Sequence, residues 1–146
     1  MKRLEFVDGS VRTIFHAVLV GSLWLLFAGH DQPGGGFVGG LVAGAAIALR
    51  YVAGGIDEVR SIGRFKPWTI LGGGLLVSAG TAIAPALVGR PVLTAMSTTW
   101  PVPGVGDLHP STTLVFDVGV YLLVVGLVLM VLEAFGEDDV RPGSEG

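Results

Sequence analysis

TTLVFDVGVYLLVVGLVLMVLEAF, residues Thr112 to Phe135, contains just two charged side chains, Asp117 and Glu133. Apolar residues occupy every side of the helix this run would form, which leaves no face for water. A hydrocarbon core about 30 Å thick is crossed by roughly 17–25 such residues, and the run falls in that range. Three others match it: Thr13 to Gly29, with His16 as its single titratable group; Gly36 to Gly54, interrupted only by Arg50; and Pro67 to Val88, with no charge. A buried helical hairpin in a soluble protein is the alternative. It needs a polar shell, and a chain that is 51% hydrophobic and 14% charged has too little to build one, since soluble domains carry about a quarter charged residues.

The fold class expected is therefore all-α, an integral membrane bundle of four transmembrane helices. Residues 1–135 form the membrane domain, with helices at about 13–29, 36–54, 67–88 and 112–135. Residues 136–146, polar and acidic, read as a disordered tail. Lys2, Arg3 and Arg12 before the first run resemble the start of a signal peptide. Leu26-Phe27-Ala28 is a poor cleavage site, however, because Leu26 stands where a small residue belongs. The run is expected to remain as a span.

The cations orient the bundle. Lys2, Arg3, Arg12, Arg50, Arg60, Arg64, Lys66 and Arg141 fall on one side, and Arg90 alone falls on the other. By the positive-inside rule both termini are cytoplasmic. Trp68 then lies at the cytoplasmic interface with Phe65 and Lys66 as neighbouring anchors. The connection Gly55 to Lys66 is cytoplasmic and polar. The longer one, Gly89 to Pro110, is external. Pro91, Pro101, Pro103 and Pro110, with Gly104 and Gly106, prevent it from forming one helix, so an extended cap is expected.

Glycine is abundant, at 24 residues. Gly36, Gly40, Gly44 and Ala48 recur every four residues in the second span, with a parallel stripe of Gly35, Gly39 and Ala43. Gly74, Ser78, Ala82 and Ala86 repeat the pattern in the third. Small stripes let helix axes approach closely and gain van der Waals contact in lipid. Packing of the second helix on the third accounts for one stripe. Two adjacent stripes point also to docking against other subunits, through Gly36, Gly39, Gly40, Gly44, Gly74 and Ser78. The turn His30 to Phe37, with Pro33 and three glycines, reads as a tight connection; the lysine and hydroxyl of a phosphate loop are missing.

Asp117 is the sharpest single residue, about 9 Å below the outer end of its helix at a rise of about 1.5 Å per residue. A carboxylate at that depth is costly and faces a bundle interior or a watery path. Three readings stay open: a proton or cation relay, a pairing with His30 or His109, or hydrogen bonding to Thr113 or Tyr121. Arg50 and Glu133 read as interfacial residues, Arg50 by snorkelling. His16 reads as an interhelical hydrogen-bonding contact. There is no cysteine, which removes thiol catalysis, disulfides and thiolate metal sites. No acid–base pair, metal cluster, cofactor site or nucleic-acid patch is recognised, so the chain reads as no enzyme.

Two segments together resemble one family. His30-x-x-Pro33-Gly34-Gly35-Gly36-Phe37-x-Gly39-Gly40 is similar to a signature of the MrpB (MnhB) subunit of multisubunit Na⁺/H⁺ antiporters. Ser111-Thr112-Thr113-Leu114-x-Phe116-Asp117-x-Gly119-Val120-Tyr121-Leu122-x-Val124-x-Gly126 is similar to the same family's last helix, and Gly89-x-Pro91-x-Leu93-Thr94 to its external loop. Asp31 departs from the pattern, where the family has asparagine, and adds an outer negative charge. The resemblance implies an accessory subunit of a multi-pass complex in the bacterial cytoplasmic membrane, with Na⁺ or K⁺ and H⁺ as transported ions and the other antiporter subunits and lipid as partners. Asp117, His30, Asp31 and His109 are then the candidate residues of an ion or proton path. The corresponding module of a sodium-translocating, hydrogenase-type redox complex is the alternative. A stand-alone four-helix transporter fits less well, since the first helix has only His16 where such proteins carry a deep carboxylate.

Overall fold

The computed structural model describes residues 2–29, 35–62, 66–92, 100–102, 106–108 and 112–139. Its helices are α1 (Lys2–Ala28), α2 (Gly35–Ile62), α3 (Pro67–Leu87) and α4 (Thr112–Asp139). Each contains a stretch long and apolar enough to cross a membrane, from 20 residues in Gly9–Ala28 to 27 in Gly35–Ser61. The helices overrun the apolar runs at their polar ends. α1 starts at Lys2 and α4 continues to Asp139, because hydropathy marks where lipid begins and not where helical hydrogen bonding stops.

Local chemistry sets the ends of α3. Pro67 occupies its first turn after an extended Lys66, a position where proline's missing N–H costs nothing. At the other end Gly89 takes φ 73°. The Arg90 N–H donates to the Pro85 carbonyl at 3.0 Å and the Gly89 N–H to Ala86 at 3.1 Å. These paired bonds form the Schellman stop, which needs a left-handed residue and so favours glycine. Beyond it, β1 (Trp100–Val102) and β2 (Gly106–Leu108) pair antiparallel, with Trp100 opposite Leu108. The connection between α3 and α4 is thus non-helical in its described parts at 100–102 and 106–108, in keeping with its prolines.

α2 is broken. Gly55 has φ 75° and ψ −169°, a conformation essentially reserved for glycine. The long helix is therefore interrupted at Gly55, and residues 56–62 form a separate short turn of helix. Ile56 and Val59 on that segment are buried in a cluster with Phe15, Ala46, Ile47 and Leu129. The connection expected to be simply polar is amphipathic and closes one end of the bundle.

The helices form an open row rather than a ring. α3 packs on α4, α4 on α2, and α2 on α1, with a lesser contact of α1 on α4. Among the described residues α2 does not meet α3, which corrects the expectation that these two pack together. The reason lies in α4. Gly119 and Gly126 open one of its sides to Ser78 and Leu71 of α3, while its other side receives the glycines of α2. α4 therefore separates the two glycine-rich helices.

Candidate functional site

Asp117 sits where α2 crosses α4, and it is 8% exposed. The crossing is closed by Gly36. A Cβ built on Gly36 would lie 2.7 Å from the Asp117 carbonyl carbon and 2.8 Å from its Cα, so backbone meets backbone with no room for a side chain. One turn along, a Cβ on Gly39 would lie 2.8 Å from the Ser22 carbonyl oxygen and 3.3 Å from the Tyr121 ring; one on Gly40 would lie 2.9 Å from Val124, and one on Gly44 2.8 Å from Val128. Every glycine of the two α2 stripes named as a site thus meets α4 or α1 of the same chain.

The second seam joins α3 to α4. A Cβ on Gly74 would stand 2.7 Å from the Gly119 carbonyl oxygen. Ser78 is 5% exposed, and its hydroxyl donates to the Leu75 carbonyl at 3.2 Å. A polar link ties α1 to α4: Ser22, fully buried, donates to the Leu19 carbonyl at 2.7 Å and lies 3.0 Å from the Tyr121 hydroxyl. Satisfying a serine hydroxyl through a carbonyl of its own helix is the usual solution in lipid.

His30, Asp31 and His109 lie outside the described residues. Two other side chains depart from their sequence reading. Arg50 does not snorkel: it is 9% exposed, its guanidinium lies 5.0 Å from the centre of the Phe15 ring, and it is ion-paired with Glu58. The break at Gly55 carries Glu58 back over the helix end and makes the pair possible. His16 makes no interhelical hydrogen bond among the described residues. Its Nδ1 lies 2.6 Å from the Arg12 carbonyl of its own helix, on an exposed face. Glu133 lies 3.8 Å from Arg60, half-exposed at the same end as Arg50. Lys66 lies 5.9 Å from the Trp68 ring centre, and Trp68 is exposed, which suits an interfacial pair.

Sequence reasoning missed Gly119 and Gly126 as packing residues, because they stand singly in a run of bulky residues. Glu58 as partner of Arg50 was also missed, since eight residues apart is not a helical spacing. The one signal for it was the Gly54-Gly55 pair that allows the chain to turn.

A row of apolar helices closed by backbone-to-backbone crossings, with one carboxylate buried at a crossing, defines a multi-pass membrane protein built for helix packing in lipid. A family described as a domain related to the MnhB subunit of Na⁺/H⁺ antiporters matches residues 6–130. The chain belongs to that family. It is 35% identical over 144 residues to a Na⁺/H⁺ antiporter subunit of Alkalihalophilus pseudofirmus, covering 96% of this chain and 100% of the other. Its fold is similar to part of the Mrp complex from Dietzia sp. DQ12-45-1b, with a TM-score of 0.77, 29% identity and 97% of this chain covered. It spans only 15% of the matched chain of that complex, so the same unit there is one part of a longer polypeptide.

Proposed function

We propose that the chain is an accessory, structural subunit of a multisubunit Na⁺ or K⁺/H⁺ antiporter in the bacterial cytoplasmic membrane, and that it has no enzymatic activity of its own. The observation that carries this reading is the full-length similarity to a Na⁺/H⁺ antiporter subunit, supported by a shared fold with part of an Mrp complex. Both termini face the cytoplasm, as the cation distribution requires. Asp117, with His30, Asp31 and His109 toward the outer face, borders the ion or proton path of the assembled complex.

The glycine seams of α2 are filled within the chain, so companion subunits meet a different surface, the outer side of α3. α3 touches α4 alone among the described helices. A Cβ on Gly72, Gly73 or Gly80 would meet nothing within 4 Å. Exposed bulky residues occur on every helix, Trp24 and Phe27 on α1, Leu41 and Val52 on α2, and Leu76 and Ile83 on α3, so what singles out α3 is its three open glycines and its single neighbour. Glycine facing lipid gains no contact, whereas glycine facing another helix permits close approach. The test is purification of the tagged chain from its own membranes in mild detergent. Recovery with the large antiporter subunits is expected. Recovery alone, with transport activity in vesicles, would replace this reading with an independent transporter.

A further inference from the structure

The end of the bundle far from Asp117 holds a cleft of about 210 Å³ between α1 and α2, lined by Val11, Arg12, Arg50, Ala53, Gly54 and Glu58 among others. Among the described residues lining it, two arginines from neighbouring helices stand against one carboxylate, a net positive charge. Arg50 is buried, and its Nε has no hydrogen-bond partner among the described residues. Glu58 engages only one edge of the guanidinium, through Nη2. A buried, unpaired donor on a charged group is costly, and the Arg50 side chain that carries it is one of those lining the cleft. Arg12 stands on the exposed rim. Glu58 is 42% exposed at its side chain, so it can swing outward to admit a second anion.

We propose that this cleft binds a phosphate group, held by the Arg12 and Arg50 guanidiniums. Planar guanidinium groups match phosphate oxygens with paired, charge-assisted hydrogen bonds. Basic pockets between helices at the cytoplasmic interface suit the headgroups of anionic lipids. The cleft's surroundings fit a lipid: Val11 and Ala53 line it, and beside them Ile14 is 50% and Val52 82% exposed, offering an apolar track for acyl chains. Free inorganic phosphate has the same headgroup chemistry without that track.

The full chain in mild detergent, incubated with phosphatidylglycerol or phosphatidylcholine and read by native mass spectrometry, tests the site. Retention of the anionic lipid over the zwitterionic one by about fivefold per arginine is expected. Arg12→Gln lowers the ratio by about fivefold, leaving the part due to Arg50, and Glu58→Gln raises it by freeing Arg50. Because Arg50→Gln endangers the fold, Arg12→Gln is the deciding variant. Arg60→Gln, at the same end but outside the cleft, leaves the ratio unchanged. Displacement of the lipid by millimolar inorganic phosphate assigns the site to the free anion, and resistance assigns it to the lipid. Equal retention of both lipids, or equal losses in Arg12→Gln and Arg60→Gln, overturns the proposal.

Discussion

Gly36 of α2 lies directly on the backbone of Asp117 of α4, with no space for even one carbon between them. The closest crossing of α2 with α4 and the one carboxylate buried among the described residues are therefore the same place. In lipid there is no hydrophobic drive between helices, so such crossings hold by van der Waals contact. Contact of this kind is lost steeply with small separations. Whatever Asp117 does, the position of its helix relative to α2 depends on Gly36 lacking a side chain.

Gly36→Leu should therefore be more damaging than its place near a helix end suggests. The atoms it would meet are backbone and cannot rotate away. Overpacking costs about 1–3 kcal/mol where neighbours can adjust, and the rigid crossing puts this variant at or above the top of that range. Thermal unfolding of the detergent-solubilised chain should show a clearly lower midpoint. An unchanged midpoint would mean that α2 and α4 do not cross there.

Asp117→Asn separates structure from transport. Asparagine keeps the size of the side chain and its hydrogen-bonding capacity but cannot carry the negative charge. On the proposed role, the antiporter complex assembles with this subunit at normal yield while cation/proton exchange in inverted vesicles falls several-fold. If the complex is lost together with activity, Asp117 is a packing residue. If both persist, the ion path lies elsewhere.

The contrast between what is legible in this sequence and what is not has a physical origin. The spans are readable because lipid demands long, uninterrupted apolar runs, and 112–135 or 67–88 meets that demand on every face. The burial of Asp117 is readable for the same reason. Neighbour relations are not. A stripe such as Gly36-Gly40-Gly44 announces a close partner without naming it, and the partner proved to be α4, whose own glycines, Gly119 and Gly126, face the opposite way toward α3. The Arg50–Glu58 pair is hidden because it depends on the backbone at Gly55. His30, Asp31 and His109 belong to segments outside the described residues, and their candidacy rests on the sequence and the family resemblance.

The two sides of α3 allow assembly to be tested apart from folding. Gly74 presses on α4, where an added Cβ would stand 2.7 Å from the Gly119 carbonyl oxygen, whereas Gly80 faces open space. Gly74→Leu should separate α3 from α4 and lower the stability of the isolated chain by about 1–3 kcal/mol or more. Gly80→Leu, without a neighbour to strike, should change that stability by no more than about 0.5 kcal/mol. If companion subunits dock on the outer side of α3, Gly80→Leu nonetheless fails to co-purify with them, because a large side chain there blocks close approach. A Gly80→Leu chain that is stable and fully assembled would show that this face meets lipid, and the docking surface would then have to be sought on the outer sides of α1 and α2.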